Sequence, residues 1–584
     1  MKRYILLFLI ATFSTTIYLV AQVNTQTPSH LKEYLSFLNN AGFSGQILVA
    51  EKDKVMCSQS FGYANKETMY PISPITAFNI GSLTKQFTAA AILWLEQHEK
   101  LKTTDTLGMF WDTLMPDKKG ITIHQLLTHT SGFGRQVIQS NESISKGELL
   151  NQIFSGKLAN SPGATFRYSN SGYEILAAIV EKISGISFKE FIRQTFIIPN
   201  NLKNTYFNTD DLTEVRHQIA LGYNEWEQVS SSLTGSVNWN TTGASNILST
   251  TEDLFKWFSL IQSGKILNTK ETAKLFTPFV NTDEDEEYCY GWYSTKTGDG
   301  SKLIYHGGDI TGFHSEFRYF PEDNRIIIIL TNQELFRLGI FKYRIASNID
   351  KLLSGTQIDF PGETKQLQNE VLYKYCGAYR LDSTNSLKIW MNGGQLTIGA
   401  WGQSAINLIV SKKLSSQIKL DSISEKSMRL MNSVINGQED IAKKMLSPDG
   451  FDFYYPFLKE KYNAYFRAMD GGDSIVSVAG TIPAYWIGDK FSRTYLKLNF
   501  ATGNCIFYLG WGPKGINDVT VNNDRPFPLI YPLVFENENK CLIYDLDNSN
   551  QTNIYFILDK SGLVSDLRIT NDLYGSMIFK KVNE

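Results

Sequence analysis

Apolar residues recur at three- and four-residue spacings over residues 82–99, where Leu83, Phe87, Ala90, Ala91 and Trp94 fall on one face. That spacing predicts an amphipathic helix opening at Ser82. Residues 171–184 repeat the pattern with Ile175, Leu176, Ile179, Val180 and Ile183, and Gly185 is placed to end the helix. Shorter helices are predicted over 31–39 and 339–353. Two β-rich runs, 45–50 and 55–63, flank the polar turn Glu51-Lys52-Asp53-Lys54 and read as a hairpin. Strand patterns return over 288–294, 302–306, 314–320 and 325–331. The apolar run 326–330 is far too short to span a membrane and reads as a buried strand.

Strands thus stand at both ends of this region, with short helices and Gly- and Asn-rich loops over 100–280. The simplest packing joins early and late strands into one antiparallel sheet with helices against it, an α+β fold with a mainly helical subdomain. From residue 373 short strand patterns and turns dominate, as at 387–391, 394–398, 494–500 and 555–558. The expected organisation is a first domain over 28–355, a linker over 356–366 around Pro361-Gly362, and a β-rich C-terminal region of one or two modules over 367–584. No internal repeat is found.

The chain has 584 residues, 42% of them hydrophobic, enough for a large core. A net charge of −2 makes no case for nucleic acid or an anionic membrane surface. Lys2 and Arg3, an apolar stretch from Tyr4 to Ala11, and Leu19-Val20-Ala21 predict a signal peptide cut after Ala21, hence export to the periplasm or the medium. Thr12 and Ser14-Thr15-Thr16 shorten the apolar run below a spanning length, so no transmembrane segment is expected in the mature chain. Five scattered cysteines, Cys57, Cys289, Cys376, Cys505 and Cys541, lack zinc-site spacing. A Cys505–Cys541 disulfide is left open. No metal or organic cofactor is indicated.

A hydroxyl needs a neighbouring base and donors for the oxyanion it generates. Ser-x-x-Lys on a helix stacks an amine beside a hydroxyl. The tetrad occurs at Ser82/Lys85, Ser143/Lys146 and Ser416/Lys419, but only Ser82 opens a long apolar-faced helix, just after Gly81. There the helix N-terminus can assist an anion. Tyr-x-Asn occurs at Tyr63/Asn65, Tyr168/Asn170 and Tyr206/Asn208, and only Tyr168 lies in a loop directly before a long helix. For a strand lining the cleft, Lys296-Thr297-Gly298 falls in a turn and should face solvent. His306-Gly307-Gly308-Asp309, ending a strand, is the better candidate, its glycines allowing close approach to the backbone.

In order, Gly81-Ser82-Leu83-Thr84-Lys85, Leu126-Leu127-Thr128-His129-Thr130-Ser131-Gly132, Tyr168-Ser169-Asn170-Ser171-Gly172-Tyr173 and His306-Gly307-Gly308 with Gly312-Phe313 resemble the serine β-lactamase and penicillin-binding-protein superfamily. Within it they resemble the class C β-lactamase-like group of carboxypeptidases, D-aminopeptidases and esterases. The resemblance covers roughly residues 30–355. It implies a β-lactamase-like fold and a serine hydrolase in which Ser82 is acylated and Lys85 and Tyr168 share the proton work. It further implies that Asn170 holds a substrate amide and that the backbone N–H groups of Ser82 and Asp309 form an oxyanion hole. His306 stands where β-lactamases of this group carry Lys. A histidine of ordinary pKa is mostly neutral at pH 7. The expected substrate is therefore a D-amino-acid peptide, cell-wall-derived peptides included, or an ester, with a β-lactamase or a non-catalytic receptor for cell-wall peptide as alternatives. Asp309 must turn its carboxylate away from the oxyanion donors. Tyr375-Cys376-Gly377-Ala378-Tyr379 resembles the opening of small β-barrel modules appended to such hydrolases. The oligomeric state is left open.

Overall fold

The computed structural model describes residues 29–582 apart from 135–143, 225–226, 232–238, 284, 334–341, 359, 361–363, 366, 393–394, 411–416, 447, 472–474, 484–491, 513–514, 523–528, 545–550 and 572. The leader pattern over residues 1–21 lies outside the described residues, as do Ser143, Ser416 and Pro361-Gly362 of the linker.

Eight antiparallel strands form the first sheet, in the order Val280–Asp283, Glu286–Tyr288, Tyr293–Lys296, Lys302–Ile310, Phe313–Phe320, Arg325–Thr331, Gly45–Glu51 and Lys54–Phe61. The early hairpin joins the late strands through Gly45–Glu51, which pairs with Arg325–Thr331 from Gly45 opposite Thr331 to Glu51 opposite Arg325. Strand residues alternate between faces, and here both faces are covered. Leu48, Ile326, Ile328 and Leu330 join a core with the helices Thr84–Gln97, Asn170–Ser184 and Thr251–Gln262. Ile47, Val49, Ile327 and Ile329 pack on the other side with Ser29–Asn40 and Lys342–Leu353. Burial on two faces explains why 326–330 is apolar without alternation.

Local chemistry sets the helix ends. Ser169 caps Asn170–Ser184 by accepting from the Gly172 N–H, and Gly185 ends it at φ +76°, a left-handed conformation that glycine adopts without strain. Thr122 and Gln125 form a capping box at the start of Ile123–Leu127, which leads into His129.

The C-terminal region carries nine strands in the order Leu529–Pro532, Gln395–Trp401, Ser386–Asn392, Gly377–Arg380, Gly575–Val582, Val564–Asn571, Gln551–Leu558, Lys540–Tyr544 and Val534–Asn537. Its two end strands are separated in the chain by Leu533 alone, so the sheet curls until its edges meet. Gln403–Val410 buries Ala405, Ile406, Leu408 and Ile409 in its core. A four-stranded sheet, Ile475–Pro483 to Gly515–Asn522, packs with the helices Gln417–Ile435, Glu439–Met445 and Pro448–Ala468. These four helices were not expected in a β-rich region. Their signal was present, since Leu430, Met431 and Val434 are buried at helical spacing. Val534 and Leu542 of the nine-stranded sheet share a core with Leu31, Phe37 and Ile345, which ties the region to the back of the first sheet. All five cysteines are free thiols, so the Cys505–Cys541 disulfide does not form. Among the described residues no helix is long and apolar enough to cross a membrane.

Candidate active site

Ser82 sits in a tight turn, Gly81–Leu83, that runs directly into the helix Thr84–Gln97. Gly81 adopts φ +52°, and its N–H donates to the Asn79 side chain at 2.9 Å. The strand Lys302–Ile310 lies directly on this turn. A Cβ at Gly81 would come within 3.0 Å of the Asp309 backbone nitrogen. A Cβ at Gly308 would come within 2.1 Å of the Ile80 carbonyl and 3.0 Å of the Ser82 nitrogen. Glycine at both positions lets two backbone N–H groups, of Ser82 and Asp309, approach the same place.

Lys85 is fully buried. Its Nζ lies 3.0 Å from Ser82 Oγ, 2.9 Å from Asn170 Oδ1 and 3.1 Å from the Ala244 carbonyl. The Tyr168 ring centroid is 4.9 Å from the same nitrogen. Hydroxyl and amine from one stretch and a phenol from a distant one therefore converge. Ser82, Tyr168, Asn170, His306, Gly307 and Asp309 line one cleft of about 950 Å³. Neither Tyr63 nor Tyr206 is among its lining residues, and Lys146 is bonded instead to Glu181 at 2.6 Å. Lys296 is exposed as expected, but Thr297 and Gly298 do line the cleft, because the turn that holds them leads into the His306 strand.

His129 adopts φ +58° and is buried against Tyr168, with ring centroids 4.3 Å apart. Its Nδ1 accepts the Ser169 N–H at 3.0 Å, which puts the imidazole proton on Nε2. Burial, with the Lys85 charge adding to it, holds this imidazole well below its ordinary pKa.

His306 is 2% exposed. Its Nδ1 donates to the Gly307 carbonyl at 2.6 Å, leaving Nε2 to accept from the Tyr288 hydroxyl at 3.2 Å. Burial, reinforced by Lys85, pushes its pKa down to about 3. The position is thus neutral at pH 7. Because this folded value lies below the ordinary 6.5 or so, the histidine's contribution to stability is fully present above about pH 6.5. It is lost as pH falls toward about 3, where the folded protein also takes up the proton. Denaturant titrations between pH 7 and 4 are expected to show stability declining with acid, and His306→Gln is expected to decline less steeply, by up to one proton. Equal slopes would show that this imidazole does not titrate with unfolding.

The Asp309 carboxylate is taken up by two neighbouring side chains. It is 61% exposed and accepts from His314 Nδ1 and Lys342 Nζ, both at 2.6 Å. Crowding by neighbouring atoms opposes ionisation, but the Lys342 charge and the His314 bond outweigh it and hold this carboxyl well below the usual range. Lys342 also donates to the Gly308 carbonyl at 2.9 Å. Lys342, Tyr288 and the Ala244 carbonyl were not anticipated, because no local motif marks them.

A buried amine on a helical serine, beside a strand edge offering paired backbone donors, is the arrangement of a serine acyl-transfer site. The profile of the family described as Beta-lactamase matches residues 39–342, more than half of the chain, and the chain belongs to that family of β-lactamase-fold serine hydrolases. It is similar to penicillin-binding protein 4* of Bacillus subtilis, 26% identical over 398 residues, a match spanning 64% of this chain and 87% of that protein. It is also similar to the protein flp of Staphylococcus aureus, 28% identical over 299 residues, spanning 49% of this chain and 59% of that protein. The octameric penicillin-binding protein homologue from Pyrococcus abyssi shares the fold, with a TM-score of 0.50 and 19% identity over 95% of this chain and 100% of that chain.

Proposed function

We propose that this protein hydrolyses amides or esters through an acyl-enzyme on Ser82, with D-amino-acid peptides and short-chain esters as its substrate classes. The observation that carries the reading is the placement of Lys85 Nζ, 3.0 Å from Ser82 Oγ and at bonding distance from Asn170 Oδ1 and the Ala244 carbonyl. Both of those partners can only accept. In the neutral amine they occupy two N–H bonds, which leaves the lone pair for the Ser82 hydroxyl. Ser82 Oγ then bonds to the substrate carbonyl carbon as its proton passes to Lys85. The oxyanion is met by the N–H groups of Ser82 and Asp309. Collapse of the intermediate breaks the bond to the leaving amine or alcohol, which takes the proton through Lys85 and Tyr168. Water, deprotonated by the same pair, releases the acid and restores the serine. Asn170 contributes its amide to binding the substrate amide.

The neutral His306 supports peptides and esters over β-lactams, since no fixed cation stands there to pair with a substrate carboxylate. The reading includes export, on the leader pattern of residues 1–21, and a hydrolase unit over 28–355 joined by 356–366 to the C-terminal region.

Treatment with a fluorophosphonate followed by peptide mapping is expected to find the label on Ser82. Steady-state assays are expected to show turnover of a D-amino-acid amide or a short-chain ester and none of a chromogenic cephalosporin. Label on another residue would overturn the assignment, and fast cephalosporin turnover would overturn the substrate class.

A further inference from the structure

The chemistry above leaves a buried carboxyl beside the site unused. Glu174 lies one turn beyond Asn170 on the helix Asn170–Ser184 and is 1% exposed. Its Oε2 accepts the Gly243 N–H at 2.8 Å and its Oε1 the Ala244 N–H at 3.2 Å. The same stretch is held from the Ser82 helix, where Thr88 Oγ1 donates to the Gly243 carbonyl at 2.6 Å. Gly243 presses directly on the Glu174 helix, since a Cβ there would come within 2.2 Å of the Tyr173 carbonyl and 2.9 Å of Ala177. The Ala244 carbonyl in turn accepts from Lys85. One helix therefore reaches the Lys85 amine twice, directly through Asn170 and through the Gly243-Ala244 backbone from Glu174.

We propose that Glu174 is a positioning residue of the active site, anchoring the Gly243-Ala244 backbone so that the Ala244 carbonyl keeps the Lys85 amine on Ser82. This rests on the reading of Ser82 and Lys85 as the acylating pair. A buried carboxyl is costly unless its bonds are made, and an apolar side chain would fill the same hole without that cost. The specific work left to it is to hold two backbone N–H groups. Burial pushes its pKa up to about 8, although the Gly243 N–H and the Lys85 charge pull the other way. With both oxygens accepting, the carboxyl fixes the Gly243-Ala244 backbone at two points.

Displacing a catalytic group by about an ångström costs on the order of 100-fold in rate. Glu174→Leu, which keeps the bulk and loses both acceptors, is expected to slow acylation of Ser82, and its phosphonylation by a fluorophosphonate with loss of fluoride, about 10- to 100-fold. With a chromogenic ester it should lower kcat in proportion and leave KM within about twofold. Glu174→Gln keeps one acceptor but sets an amide N–H donor against the second backbone N–H, so it should recover only part of that rate, which a purely structural role would not require. If Glu174→Leu does not fold, Thr88→Val frees the other end of the same backbone and is expected to slow acylation about 5-fold at unchanged KM. Acylation at the wild-type rate in Glu174→Leu, or in Thr88→Val where the first variant is lost, would overturn the proposal while Ser82 labelling of the wild type stands. A wild-type protein that takes no label at Ser82 would remove the acylation reading, and this role with it.

Discussion

Ser82→Ala is expected to lose turnover by at least about 10⁴-fold in kcat/KM, because no covalent intermediate can form without the hydroxyl. The fold should survive. Ser82 is half-buried in a single turn, and Lys85 keeps Asn170 and the Ala244 carbonyl as acceptors. One lost hydrogen bond costs about 1 kcal/mol, which in a chain of this length moves Tm by roughly 2 °C. Chromogenic ester turnover and thermal unfolding, measured on one preparation, test both halves. A Ser82→Ala protein retaining a tenth of wild-type turnover would sink the nucleophile assignment. A non-catalytic receptor on the same fold would be indifferent to the change.

Lys85→Met removes the amine while keeping the length of the side chain. General base catalysis is worth about 10² to 10⁴-fold, so acylation is expected to fall by about 10³-fold. Stability should move differently. The variant leaves Asn170 Oδ1 and the Ala244 carbonyl without this donor, at a cost of about 1–3 kcal/mol each. Lys85→Met should therefore be nearly inactive and melt below the wild-type temperature, by roughly 2 °C for each kcal/mol lost, while still folding. Stopped-flow acylation and calorimetry read the two effects separately. An active Lys85→Met, or one inactive only because it unfolds, would contradict the role of the amine.

Much of the site was legible because helical spacing is a local property. A spacing of three from Ser82 to Lys85 brings hydroxyl and amine to one side of a helix whatever the rest of the chain does, and the two are 3.0 Å apart. The strand at His306 was likewise readable, as was the need for Asp309 to turn its charge away. What the carboxylate meets was not, because His314 faces it only through the hairpin register and Lys342 reaches it from the helix Lys342–Leu353. The neutrality of His306 at pH 7 was expected from its ordinary pKa, but burial makes the position neutral well into acid. The helices Gln403–Val410 to Pro448–Ala468 were missed because apolar residues there occur among strand-forming neighbours, and tertiary packing decided between the two periods.

By itself the sequence determined the long helices and main strands around the candidate site, the order of its motifs and the Ser82/Lys85 pair as its candidate, since each depends on residues a few positions apart. Only the tertiary structure decided that Tyr168 meets Lys85, that a backbone carbonyl at Ala244 and a carboxyl at Glu174 join the site, and that the nine-stranded sheet nearly closes on itself. Those contacts join residues tens to hundreds of positions apart. They form only when the whole chain buries its apolar surface, and no local pattern encodes which distant groups that burial brings together.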